Sequence, residues 1–231
     1  MPAEHPHSAI DRRQLLAGIS VLVLAPVPVA CAQERPPARA PGRLIAGDTC
    51  PLTPRQTEGP FYFDSALVRR DIKEGRAGVP LRLRLQIVGA ADCAPAAGAR
   101  VDIWHCDAGG AYSGYDRQRG SGETFLRGTQ FAGTDGVAAF DTLYPGWYEG
   151  RAPHVHCKIW LPGGTELTSQ IYFPDALSDR LYRDGPYAGR GERRMRNADD
   201  GIFRSLDGRA PLAAMSSTAA GYDGAIVIAL S

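Results

Sequence analysis

The sequence predicts an all-β protein, an antiparallel β-sandwich with long loops and little helix, and three observations carry that prediction. From Val79 to Val88, apolar Leu81, Leu83, Leu85 and Ile87 alternate with Arg82, Arg84 and Gln86, the period of two of a half-buried strand. Short apolar runs recur at Ala99 to Trp104, Gly136 to Leu143, His154 to Leu161, Leu167 to Phe173 and Gly224 to Leu230, separated by Gly, Pro and Asp turns. No long stretch of helical period lies between them, which favours stacked sheets over alternating strands and helices.

In chain order, residues 1–32 read as an export signal. The pair Arg12-Arg13 precedes an apolar stretch that runs to Ala30 and is broken by Pro26 and Pro28. Twin arginines at this spacing point to the Tat route ahead of Sec, and the stretch is too short and broken for a stable membrane span. Cleavage after Ala30-Cys31-Ala32 gives an exported protein, periplasmic or extracellular; lipid anchoring through Cys31 is the alternative, on a poor lipobox. Residues 33–48, rich in Pro, Arg and Ala, read as a flexible tether. The domain occupies 49–231. One short helix is expected from Asp175 to Tyr182, after Pro174, and the alanine-rich stretch 210–220 reads as loop or weak helix. The basic run Arg193-Arg194-Met195-Arg196 reads as a solvated surface segment.

A chain of 231 residues with 44% hydrophobic content can bury one substantial core. Its net charge of +1 gives no nucleic-acid footprint. Beyond Cys31 there are four cysteines, Cys50, Cys93, Cys106 and Cys157. An oxidising compartment would allow two bridges. Cys50 with Cys93 is the preferred pair, and Cys106 and Cys157 stand evenly between a bridge and buried free thiols.

Chemistry concentrates at Arg151-Ala152-Pro153-His154-Val155-His156. In a strand the period of two puts His154 and His156 on one face, with Val155, Cys157, Ile159 and Leu161 towards the core. Two adjacent imidazoles can grip one metal, although H-x-H alone is a weak signal. The only other histidine after the signal, His105, alternates with Val101 and Ile103, which suits a packed or hydrogen-bonded side chain better than a third ligand of a zinc site. Two glycine-flanked tyrosines offer oxygen donors: Tyr112, in Gly109-Gly110-Ala111-Tyr112-Ser113-Gly114, and Tyr148, in Pro145-Gly146-Trp147-Tyr148-Glu149-Gly150. A phenol becomes a ligand at neutral pH when a hard trivalent cation takes its proton's place, which makes Fe(III) the match. Tyr115 is the rival to Tyr112.

Together these segments resemble the intradiol ring-cleaving catechol dioxygenases, the group of protocatechuate 3,4-dioxygenase and catechol 1,2-dioxygenase, and most closely its exported single-domain relatives. The likeness rests on Thr57-Glu58-Gly59-Pro60-Phe61-Tyr62, on Asp102-Ile103-Trp104-His105 leading to Tyr112-Ser113, on Leu143-Tyr144-Pro145-Gly146-Trp147-Tyr148, on Arg151 to His156 and on Gln170-Ile171-Tyr172-Phe173. It implies one Fe(III) per chain held by Tyr112, Tyr148, His154 and His156. Arg151 would then stand beside the substrate and Gln170 near the metal, and Tyr148 would be displaced as the diol binds. It further implies a small aromatic diol and O2 as reactants and a muconate-type diacid as product. The short stretch between Tyr148 and His154 and the unmatched N-terminal helical region leave substrate choice and oligomeric state open. Two other classes remain at this stage: a secreted β-sandwich that binds phenolics or carbohydrate without turnover, and a zinc hydrolase. Phenolate-to-Fe(III) colour separates both from the dioxygenase.

Overall fold

The computed structural model describes residues 50–115, 122–191, 193 and 195–231. The export signal, the tether and Cys31 lie outside them. Among the described residues there are eight strands: β1 Pro80–Gly89, β2 Arg100–Trp104, β3 Arg127–Phe131, β4 Val137–Leu143, β5 His154–Trp160, β6 Glu166–Tyr172, β7 Ala214–Thr218 and β8 Gly221–Leu230. Helices are few, α1 Asp175–Leu181 and α2 Gly201–Arg204 with two short 3-10 turns. The strands form two four-stranded sheets, ordered β4-β1-β8-β7 and β3-β2-β5-β6.

The sandwich stands as the alternation implied, with Leu81, Leu83, Leu85, Ile87, Phe140, Ile226 and Ile228 of one sheet buried with Val101, Ile103, Val155, Cys157, Ile159 and Ile171 of the other. Each such side chain contributes about 1.5–3 kcal/mol relative to exposure. One pairing is not antiparallel: β8 runs parallel to β1, from Tyr222 beside Leu81 to Leu230 beside Gly89. Parallel neighbours need a long connection between them. The chain from β1 to β8 supplies it, so no tight turn dictates the direction of β8.

Three elements differ from the sequence reading. β3, Arg-Gly-Thr-Gln-Phe, has almost no apolar signal and owes its strand state to pairing with β2. Residues expected as loop or weak helix form β7, an exposed edge strand paired with β8. The basic run is not a solvated segment throughout. The Arg193 side chain is only 2% exposed, with Nη1 2.7 Å from Asp175 Oδ1 and Nη2 2.8 Å from Asp179 Oδ1, so it ties the later loop to α1. Arg196 remains exposed beside Asp179, and Arg194 lies outside the described residues. A buried guanidinium of this kind requires partners, and the two aspartates provide them.

Cys50 and Cys93 form the disulfide, whereas Cys106 and Cys157 are buried free thiols. The bridge spans 43 residues of sequence, worth about 4 kcal/mol by chain entropy. It holds the start of segment 50–68 against the β1–β8 sheet, where the Thr53 amide also donates to the Ala229 carbonyl. From there the segment crosses to the second sheet, and the Gln56 amide donates to Thr168 O.

Candidate metal centre

β5 separates two roles by alternation. Val155, Cys157 and Ile159 enter the core, which leaves His154 and His156 on the opposite face. On that face His156 sits across from Trp104 of β2 and Gln170 of β6, while His154 sits across from Tyr172. The Trp104 indole stacks on His156, centroids 4.9 Å apart and planes within 8°. Segment 50–68 roofs this face. Its Gly59 turns with φ +69°, a conformation open to glycine, 3.5 Å from His156 Cε1 as measured from an ideal Cβ position. Phe61 then stacks on Tyr112, centroids 4.2 Å apart.

The two tyrosine loops lock together at their glycines. The Gly146 amide donates to Asp107 O, and a Cβ on Gly146 would strike the backbone of Asp107 and Ala108. Gly110, at φ +82°, likewise abuts the Trp147 carbonyl. This close backbone approach is what the flanking glycines permit, and it brings Tyr112 and Tyr148 together, rings 5.8 Å apart. Tyr115, the rival, is 41% exposed and spends its hydroxyl on the Tyr62 carbonyl.

Four of the predicted residues therefore converge. His154 Nε2 lies 3.1 Å from His156 Nε2 and 3.3 Å from Tyr148 Oη. His154 Nδ1 is 2.7 Å from the Ala152 carbonyl, which can only accept, so Nδ1 carries the proton and Nε2 presents its lone pair. Burial above all, and then Arg151, pushes His154 down to about 3. His156 is likewise well below its ordinary value, from burial and from His154. Both rings are neutral at physiological pH. Burial raises Tyr112 well above the usual phenol value, and raises Tyr148 less, with Arg151 opposing. The Tyr112 hydroxyl is buried without a hydrogen-bond partner among the described residues. The His154 Nε2 lone pair and the neighbouring His156 Nε2 face two such phenols, a donor set that suits a hard cation able to take the phenol protons' place.

Arg151 is gathered into the same spot. Its Nη1 lies 3.4 Å from Tyr148 Oη and 3.5 Å from His154 Nε2, and Nη2 donates to Gln170 Oε1 and lies 3.4 Å from Tyr172 Oη. Gln170, fully buried, uses its other end to donate to the Thr57 carbonyl, 2.9 Å, holding the roof. Tyr172 Oη in turn donates to Gln56 Oε1. Tyr172 entered the sequence reading only as part of the Gln170-Ile171-Tyr172-Phe173 motif, and Gln56 and Asp200, whose carboxylate accepts from Arg151 Nε at 2.9 Å, were not singled out. Asp200 before Gly201-Ile202-Phe203 carries a helix N-cap signal, but not the contact with Arg151.

His105 is not part of the set. Its Nδ1 donates to Cys106 O (2.8 Å) and its Nε2 accepts from Thr142 Oγ1 (2.7 Å), which leaves no nitrogen for a metal. Burial pushes it down to about 4 from 6.5. A depressed histidine stabilises the fold fully above its unfolded value and loses that contribution as pH falls, here between 6.5 and 4, amounting to about 3 kcal/mol. His105→Gln is therefore expected to flatten the loss of unfolding free energy over that window by up to one proton's slope, measured by urea titration at each pH. An unchanged slope would show that His105 does not titrate there.

Comparison with known proteins gives the family of the fold. A family model described as Dioxygenase (Dioxygenase_C) matches residues 57–185. An intradiol ring-cleavage dioxygenase from Tetranychus urticae superposes with TM-score 0.72 at 33% identity, covering 78% of this chain and 94% of that one. The dioxygenase domain of a carbohydrate-binding fusion from Streptomyces sp. SirexAA-E gives TM-score 0.60 at 32% identity, covering 78% and 98%. Catechol 1,2-dioxygenase 1 of Acinetobacter lwoffii is 31% identical over 164 residues, 61% of this chain and 51% of that protein. The chain spans about half the length of the curated relatives it matches. A two-sheet β-sandwich with a His-Tyr cluster on the outer face of one sheet is the class that fold and site define. The chain belongs to the intradiol ring-cleavage dioxygenase family.

Proposed function

We propose that this chain is a non-haem Fe(III)-dependent intradiol dioxygenase that cleaves a catechol-type diol with O2 to a muconate-type diacid. Tyr112, Tyr148, His154 and His156 are the proposed ligands of one iron per chain. The observation that carries the reading is their convergence at one buried spot, with Tyr148 Oη and His156 Nε2 at 3.3 and 3.1 Å from His154 Nε2. The names of relatives, catechol and chlorocatechol 1,2-dioxygenases, support a catechol-type substrate.

When bound, Fe(III) supplies Lewis acidity, a template for the diol and the ring activation towards O2. The protein's part divides between the two tyrosines. Tyr112, 5% exposed and stacked under Phe61, would be the more firmly held oxygen donor. Tyr148 is only partly buried, with Arg151 Nη1 at 3.4 Å from its oxygen, so it would be the more readily exchanged donor, and its Oη could take a proton from the diol. Arg151 would donate to an anionic oxygen beside Tyr148 and stabilise negative charge there. Gln170, committed at both ends of its amide, acts by holding Arg151 rather than by meeting the diol. Trp104, Phe61 and the roof keep bulk water from the imidazoles.

The reading includes export. Arg12-Arg13 ahead of an apolar stretch and the Cys50–Cys93 bridge support a periplasmic or extracellular chain, since such bridges persist in oxidising compartments.

A visible spectrum of the purified protein loaded with Fe(III) tests the function directly. A broad phenolate charge-transfer band is expected, moving to longer wavelength when catechol is added without oxygen, followed by a muconate product once oxygen is admitted. A protein that stays colourless after reconstitution with Fe(III) would overturn the reading.

A further inference from the structure

Asp200 lies beyond the stretch matched by the family, 57–185, and is fully buried. One carboxylate meets four donors. Oδ2 accepts from Arg151 Nε (2.9 Å) and the Ala152 amide (2.9 Å), while Oδ1 accepts from the amides of Ile202 (2.8 Å) and Phe203 (3.3 Å) at the start of α2. Burial works to raise its pKa, and the Ala152 amide with the Arg151 guanidinium outweighs it, so the group is held anionic. Three residues on, the Phe203 ring meets Tyr172 edge to face, centroids 5.0 Å apart, and Tyr172 Oη is itself a neighbour of Arg151 Nη2. The turn at 200–203 thus backs Arg151 on the Nε edge of its guanidinium.

We propose that Asp200 is the positioning residue for Arg151, a claim that rests on the role given to Arg151 above. A guanidinium is planar, so a grip on its Nε edge fixes the direction of both Nη groups. Here that direction is towards Tyr148 Oη, His154 Nε2 and Gln170 Oε1. The carboxylate also balances charge: a partly buried cation 3.5 Å from His154 Nε2 opposes any metal held there, and an anion bound to its far edge offsets that repulsion. The competing view is that Asp200 only caps α2, for which the Ile202 and Phe203 contacts suffice.

The test uses the full chain as wild type, Asp200→Asn, Arg151→Gln and the double variant. In the metal-free wild-type protein the Arg151 Nε–H is expected to exchange slowly with solvent by NMR, and in Asp200→Asn to exchange at least tenfold faster. With iron and catechol, Asp200→Asn is expected to lower kcat by 10- to 100-fold with a smaller change in KM. The double variant should turn over no more slowly than Arg151→Gln alone, the non-additivity of two residues acting as one unit. A fast-exchanging Nε–H in the wild type would overturn the proposal without any variant, as would multiplicative losses in the double variant. So would an Asp200→Asn protein that is less stable yet keeps the slow Nε–H and its kcat. A wild type that binds no iron and cleaves no catechol would defeat the functional reading instead, and the exchange rates in the metal-free chain would still decide whether Asp200 holds Arg151.

Discussion

Tyr112→Phe is expected to give a metal-free protein at least as stable as the parent and one that no longer holds Fe(III). The substitution removes a single oxygen from a ring stacked on Phe61, and that oxygen has no hydrogen-bond partner among the described residues. If the hydroxyl were merely structural, its removal would be silent or would relieve an unsatisfied buried group, a gain of about 1–3 kcal/mol. As a ligand it is indispensable, and its loss should abolish the charge-transfer band and lower ring cleavage by on the order of 10⁴-fold or more, in line with losing the metal's contribution outright. Chemical denaturation of the metal-free pair, together with iron analysis and spectra of the reconstituted pair, separates the two cases. A Phe variant that keeps iron and colour would show that Tyr112 is dispensable as a ligand.

The second large effect is expected at Arg151. Arg151→Gln should retain iron and colour, yet lose about 10²- to 10³-fold in kcat, the usual cost of deleting a donor aimed at developing charge. Arg151→Lys should rescue little, because one ammonium cannot replace a fork that reaches Asp200, Gln170, Tyr172 and Tyr148 at once. Removing the guanidinium also strands a buried carboxylate at Asp200, a destabilisation of about 3–5 kcal/mol. The kinetics therefore belong at a temperature well below the variant's own Tm. A lysine variant with normal kcat would show that charge alone is needed there.

The shared face of His154 and His156 was legible in the alternation of β5, and the two glycine-flanked tyrosine loops in their turns, but these local patterns are weak singly: only the family resemblance chose Tyr112 over Tyr115 and gave Arg151 a role. The inward rows of β1 and β5 were legible for the same reason, since alternation reports burial directly. What escaped were features that exist only through long-range pairing. β3 carries Arg127, Gly128, Thr129 and Gln130 and is a strand because β2 offers it an edge. Arg193 looked like part of a charge run because Asp175 and Asp179, its partners, are 14 to 18 residues distant in sequence. Asp200 is 49 residues from Arg151, and no local spacing encodes that distance.

β5 spends its seven residues on two tasks at once, with donors at even positions and core side chains at odd ones. A slip of one residue against β2 and β6 would therefore do more than blur the site. It would drive two polar rings into the hydrocarbon interior and turn Val155 and Cys157 outward, so the wrong alignment is penalised by the whole sandwich. The geometry of the proposed metal site is in this sense proofread by hydrophobic burial: a chain that has packed its core correctly has already set the spacing and facing of its two imidazoles.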